Sequence, residues 1–215
     1  MGWVDLWRGI LFSDVLSSSP TLCGVTLPLP RSLVNHGKGI EGCPKPNRGI
    51  AVIQGCLRMV ELEVHIDGLP MLDPETGHLN FGVHDWEPST YTNRKISGAW
   101  EDWQLDCTAK ASHIDIDEAM QWQLLQSGLL HVKQEGREQK LKNLHTSQPV
   151  LSLDNNGAVY LLTKVKFLLL TLRAKKIQSL AEFSTERNLG RSHAYCPSSI
   201  SSYINARATP GNILF

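Results

Sequence analysis

The chain has 215 residues, 41% of them hydrophobic and 20% charged, proportions that support a packed core and exclude a chain dominated by disorder. Its 21 Lys and Arg balance 21 Asp and Glu, so no global field draws it to nucleic acid or to an anionic membrane surface. Nor does any stretch reach the roughly 20 apolar residues of a bilayer span; the most lipid-like one, LLTKVKFLLLTL at 161–172, contains Lys164 and Lys166.

The opening stretch, VDLWRGILFSDVL (4–16), is interrupted by Asp5, Arg8 and Asp14, which breaks the apolar core a secretory leader needs. Leu6 stands where a myristoylation signal calls for Ser or Thr. The stretch reads instead as sheet: Val4, Leu6, Ile10 and Phe12 pack, Trp3 and Trp7 cover them, and Arg8-Gly9 turns or bends the strand. Farther on, HGKGIEG (36–42) has glycines and a lysine but not the spacing of a phosphate-binding loop.

Residues 50–66 form a predicted hairpin reversing at Gln54-Gly55. In its second half Val60, Leu62, Val64 and Ile66 alternate with Glu61, Glu63 and His65, the period of a strand with one apolar and one solvated face. Residues 67–96, rich in Gly, Pro, Asp and Asn, read as a long irregular connection. His84 and Asp85 lie there side by side, and neighbours on a strand face opposite ways. Trp100 and Trp103 follow, oddly spaced, so a strand would send them to opposite faces; core packing is the plain reading and a contact anchor the sharper one.

SHIDID (112–117) is the nearest approach to a metal site, because an extended chain would project His113, Asp115 and Asp117 to one side. A solvated strand face leading into a helix cap explains the same letters. The helix itself is predicted from Asp117 to about Ser127, with Asp117 and Glu118 at its start, Met120 and Leu124 on one face, Trp122 and Leu125 three apart, and Gly128 at its end. Residues 134–143 read as a charged surface loop.

Asn156-Gly157 sits between two apolar runs of 149–167 and predicts a type I′ hairpin. Another strand pair, Leu168–Arg173 and Ile177–Phe183, turns at Ala174-Lys175-Lys176. The basic residues Lys164, Lys166, Arg173, Lys175 and Lys176 gather there as an edge-protecting surface. Three loosely similar units thus emerge, at 3–28, 50–107 and 149–183, and they predict a mainly β chain: propeller-like or stacked antiparallel sheets built from hairpins, incomplete as a propeller, with one short helical insertion. The domain is expected to span 1–205, with 206–215 as a tail.

Five cysteines (Cys23, Cys43, Cys56, Cys107, Cys196) are odd in number, widely spaced and without a CxxC pair. They read as small buried hydrophobes in a reducing, intracellular compartment, cytoplasmic or nuclear. No Asn-X-Ser/Thr acceptor occurs. No nucleophile elbow, protease signature or dinucleotide fingerprint is present, so the sequence assigns no catalytic, cofactor or metal residue. The structural or contact residues it singles out are Trp3, Trp7, Trp100, Trp103, Asn156 and Gly157.

GWVDLWRGILFSDVL (2–16), RGIAVIQGCLRMVEL (48–62), WEDWQLDCTAKASHIDI (100–116), HTSQPVLSLDNNGAVYLLTKV (145–165) and AEFSTERNLGRSHAYCPSSISSYIN (181–205) together resemble the plant, mainly grass, domain-of-unknown-function family 1618, collinearly over about nine tenths of the chain. The resemblance implies a β-rich, propeller-like domain, in some members joined to an F-box, with no activity or catalytic residue to carry over. It also implies an N-terminally shortened member, compressed between Lys164 and Leu172. The leading expectation is a non-enzymatic protein-interaction or scaffold domain with an unassigned protein partner and no cofactor. The competing ones are a metal-dependent hydrolase on the His113/Asp115/Asp117 face, with His84 or Asp85 brought near, and a nonfunctional gene fragment.

Overall fold

The computed structural model describes residues 1–36, 42–66, 71–72, 79–80, 82–96, 98, 100–130, 140–154, 157–163 and 166–182. Its elements in chain order begin with β1 (Gly2–Asp5), β2 (Gly9–Ser13), β3 (Leu22–Thr26), α1 (Arg31–His36), β4 (Arg48–Ile53) and β5 (Cys56–Ile66). They continue with β6 (Met71–Leu72), β7 (Leu79–Asn80), β8 (Val83–Asn93), β9 (Trp103–Thr108) and α2 (Glu118–Gln126). The last four are β10 (Ser147–Leu151), β11 (Ala158–Thr163), β12 (Lys166–Thr171) and β13 (Lys176–Glu182).

Three antiparallel sheets carry the fold, in the orders β1-β2-β3, β4-β5-β8-β9 and β10-β11-β12-β13, with β6-β7 as a two-stranded ribbon. They coincide with the three units read from the sequence. The second sheet lies between the other two. One of its faces meets the first sheet through Ile10, Val25, Leu27, Leu57, Met59 and Trp103, and the other meets the third sheet and α2 in a larger core around Val60, Leu62, Trp86, Leu124, Leu168 and Leu170. Burial on both faces is what makes β8 read so poorly as an amphipathic strand.

The contact between second and third sheets is close enough to involve backbone. Gln148 N donates to Pro46 O at 2.8 Å, and a Cβ on Gly49 would sit 2.3 Å from Pro149 O. Only a residue without a side chain permits that approach.

Several sequence expectations are corrected. Residues 67–96 are not one irregular connection: β8 runs 11 residues through the middle of the second sheet. α1 is a helix that the sequence did not predict. The type I′ geometry occurs at Gln54 (φ 51) and Gly55 (φ 73), between paired Ile53 and Cys56. The predicted turn at Asn156-Gly157 includes Asn156, which lies outside the described residues; Gly157 has φ 98, and next to it Ser152 N donates to Ala158 O in the β10-β11 hairpin. Trp100 opens a 3-10 turn, Trp100–Asp102, and is not on a strand. Val4 is half exposed because β1 is an edge strand. Of the four described cysteines, Cys23 and Cys43 are exposed and Cys56 and Cys107 partly so, since they fall on edge strands, at strand ends and in a loop. Cys196 and the 206–215 tail lie outside the described residues.

The helix forms as expected. The Asp117 carboxylate accepts from Met120 N at 2.8 Å, Met120 and Leu124 are buried, and Gly128 takes φ 68 just past the end. Trp122 points outward and is exposed.

Candidate functional site

Strand register sorts the first sheet into two faces. Ile10 pairs with Val25 and points into the core. On the other face Trp3 pairs with Leu11, Leu11 with Gly24, and Ser13 with Leu22. Trp3 is 52% exposed, Leu11 50% and Leu22 66%, and Met1 continues the row through its paired bonds to Ser13. Isolated surface apolar residues are ordinary, but a contiguous set on one sheet face marks a contact surface.

Between the first and second sheets lies a buried ionic cluster. Glu61 and Glu63 project toward the first sheet from β5, and Glu87 from β8 stands opposite Glu63. Like charges placed so need a cation between them, and Arg31, at the start of α1, supplies it. Its Nη1 is 2.5 Å from Glu87 and its Nε 3.9 Å from Glu63, while its backbone N donates to Glu61 Oε1 at 2.9 Å. The Arg31 guanidinium also donates to Ser89 Oγ, which shares a 2.9 Å hydrogen bond with Thr108.

Arg48, 1% exposed, completes the cluster. It lies 3.2 Å from Glu61, donates to Leu6 O at 3.2 Å, and stacks 5.6 Å from the Trp7 ring centre. Burial first, and then the Glu61 carboxylate, push the nearby Tyr91 hydroxyl up to about 12. The alternation of β5 predicted a solvated face for Glu61 and Glu63; the first sheet and α1 cover it instead.

A cleft of about 460 Å³ opens between the second and third sheets. Arg58, Arg94 and Arg173 line it together with Asp106, Ser152 and Thr171, over an apolar floor that includes Ile53, Leu151 and Ala158. Arg58 Nε and Thr171 Oγ1 are buried with no hydrogen-bond partner. Asp106 accepts a hydrogen bond from Thr92 Oγ1. No sequence motif announces this site, because its residues come from five separate segments.

The residues singled out from sequence are scattered. His113 closes a 3-10 turn, Ala111–His113, Asp115 forms an isolated bridge to Lys176, and Asp117 caps α2; all three are exposed, alternating with buried Ile114 and half-buried Ile116, and each has a structural task of its own. Among the described residues no group of three His, Cys, Asp or Glu could hold a metal ion. Asp85 is buried, accepting from Trp86 N at 2.9 Å and Ser112 N at 3.2 Å, with Lys110 at 3.8 Å. His84 beside it faces solvent. A smaller cavity of about 350 Å³ runs past Ser112, Ile114, Lys140 and Lys142, and neither His84 nor His113 lines either cavity.

The tryptophans divide by environment. Trp7 donates to Gly42 O at 3.0 Å and Trp103, in the core, to Thr26 O at 2.9 Å, so both tie the first sheet to its surroundings. Trp3 lies on the free face. The side chain of Trp100 lies outside the described residues. No described helix is long and apolar enough to cross a membrane.

The family model of Protein of unknown function (DUF1618) matches residues 3–160, which include the first two sheets, α2 and the first strand of the third sheet, and the chain belongs to that family. No curated protein and no solved structure matches it.

Proposed function

We propose that this DUF1618 chain is a non-enzymatic, β-rich protein-interaction domain that docks protein face to face on the outer side of its first sheet. The observation that supports the reading is the paired row Trp3, Leu11 and Gly24 with Leu22 beside it, exposed on a sheet whose other side is core. Apolar sheet faces pack on one another with interdigitating side chains, and the second sheet is covered in this way on both sides.

The occupant proposed is a second copy of the chain. An isologous contact sets one patch against itself, and this patch has the relief for it: Trp3 projects, while at Gly24 the surface is low and the Leu11 side chain leans over it, its Cδ2 3.3 Å from where a Cβ would lie. Tryptophan is a frequent anchor of such contacts. The free state of the four described thiols suits a reducing compartment, and a cytoplasmic or nuclear address belongs to the proposal. The hydrolase reading is not carried forward, since His113, Asp115 and Asp117 serve a turn, a bridge and a cap.

Sedimentation velocity of the full chain over a wide concentration range tests this. The wild type is expected to pass from monomer to dimer, and the double variant Leu11→Lys/Leu22→Lys to remain monomeric with an unchanged melting temperature, because both positions are exposed. A wild type that stays monomeric throughout, or a double variant that dimerises equally well, overturns the proposal.

A further inference from the structure

We infer that the cleft between the second and third sheets binds the phosphate group of a phosphorylated small molecule. Three arginines converge there from separate segments: Arg58 on β5, Arg94 directly after β8, and Arg173 in the turn between β12 and β13. Among the described residues Asp106 is the one carboxylate in the lining, so three positive charges less one negative leave a surplus of two there. Among the described residues no ion pair joins any of the three guanidiniums to a carboxylate. Asp106 is engaged by Thr92 across the bulge in β9.

The polar atoms left unsatisfied point the same way. Arg58 Nε belongs to the second sheet and Thr171 Oγ1 to the third, both line this cleft, and both are buried without a partner. Native interiors rarely leave such groups unmatched, and one oxyanion seated between the sheets would accept from both. A phosphate monoester carries about −1.5 to −2 charge at neutral pH and three acceptor oxygens, which matches the surplus; a single carboxylate would leave one cation unpaired. Planar guanidinium forks are also the side chains best shaped for phosphate.

The cleft is large enough for more than the phosphate itself. About 460 Å³ exceeds what a bare phosphate fills and falls in the range of small-molecule sites, about 300–1,000 Å³. Ile53, Leu151 and Ala158 wall the extra space and give it an apolar surface for the carbon part of the ligand. The first sheet contributes no residue to the cleft, so this inference stands or falls apart from the docking proposal.

Isothermal titration calorimetry of the full chain with inorganic phosphate and with glycerol phosphate, against chloride at equal ionic strength, tests it. Saturable binding is expected for both phosphates, tighter for glycerol phosphate. Arg94→Ala and Arg173→Ala, at exposed positions that leave the melt in chloride unchanged, are each expected to weaken it about tenfold or more, the effect of losing one charge-assisted bond. Thr171→Val, which keeps the shape and removes the hydroxyl, is expected to weaken it as well. Absence of saturable heat with either phosphate, or affinities unchanged in both arginine variants, overturns the inference.

Discussion

Replacing Arg48 with methionine keeps most of the side-chain volume and removes every polar contact that the guanidinium makes. Arg48 is 1% and Glu61 4% exposed, so the substitution strands a carboxylate in the interface between two sheets. Breaking a buried pair by deleting one partner costs about 3–5 kcal/mol. The carbonyl of Leu6 loses its 3.2 Å bond, worth about 1 kcal/mol, and Trp7 loses a stacked cation, worth about 0.5–2 kcal/mol. These losses share one side chain and do not simply add, so the expected destabilisation is about 3–5 kcal/mol in total. At about 2–4 °C per kcal/mol for a chain of this size, melting falls by about 10 °C. Urea unfolding followed by tryptophan fluorescence is the assay, since Trp7 and Trp103 both stand at this interface. The double variant Arg48→Met/Glu61→Leu is expected to recover most of the loss, because an apolar pair of similar volume tolerates the site. A single variant that loses less than about 1 kcal/mol, the worth of an exposed ion pair, would refute the claim that the first sheet seals this cluster from water.

Tyr91 gives a pH prediction. An unfolded tyrosine releases its proton near its ordinary value of 10.0, while the folded one holds it to about 12. The unfolded state therefore binds fewer protons in that window, and this contribution to stability is full below pH 10 and lost between about 10 and 12. Urea midpoints measured against pH should fall through this window less steeply in Tyr91→Phe; equal slopes count against it. Gly49→Ala places a methyl group 2.3 Å from Pro149 O and should cost at least about 2 kcal/mol by chemical denaturation, because the obstacle is backbone. A neutral result would mean that β4 and β10 do not touch. Gln54→Gly relieves a left-handed non-glycine residue (φ 51) and should raise stability by about 1 kcal/mol in thermal melts; a loss of stability would place the turn outside the type I′ form.

What could be read from the letters was local. Gln54-Gly55, the alternation of Val60 to Ile66, and the turn before Lys176 each state a hairpin within a few residues, and hairpins account for most of the three sheets. β8 escaped because its sequence, VHDWEPSTYTN, carries Pro88, Glu87 and several hydroxyls, and only partners distant in sequence make those groups tolerable inside. Arg31, 30 residues from Glu61, bonds to its carboxylate through its own backbone. For the same reason Glu61 and Glu63 looked solvated: a period of two separates the faces of a strand but does not say what covers each one. α1 has six residues and no acidic first turn, too short for a helical period to register. The arginine cleft was illegible for the plainest reason, that Arg58, Arg94 and Arg173 become neighbours only when two sheets stack.

The backbone seam between Pro46–Gly49 and Gln148–Pro149 also sets an order of events during synthesis. The β4-β5 hairpin emerges from the ribosome roughly eighty residues before the strand that closes over it, and contacts so distant in sequence form slowly. Through that interval the apolar row of Val60 and Leu62 has no lid, and the growing chain is open to mispairing or to capture by a chaperone. Protection of the amides of β4 from hydrogen exchange should therefore arrive only once β10 has left the exit tunnel. The ionic anchor at Arg48, whose partners Leu6 and Glu61 are made early, can hold the hairpin to the first sheet while it waits.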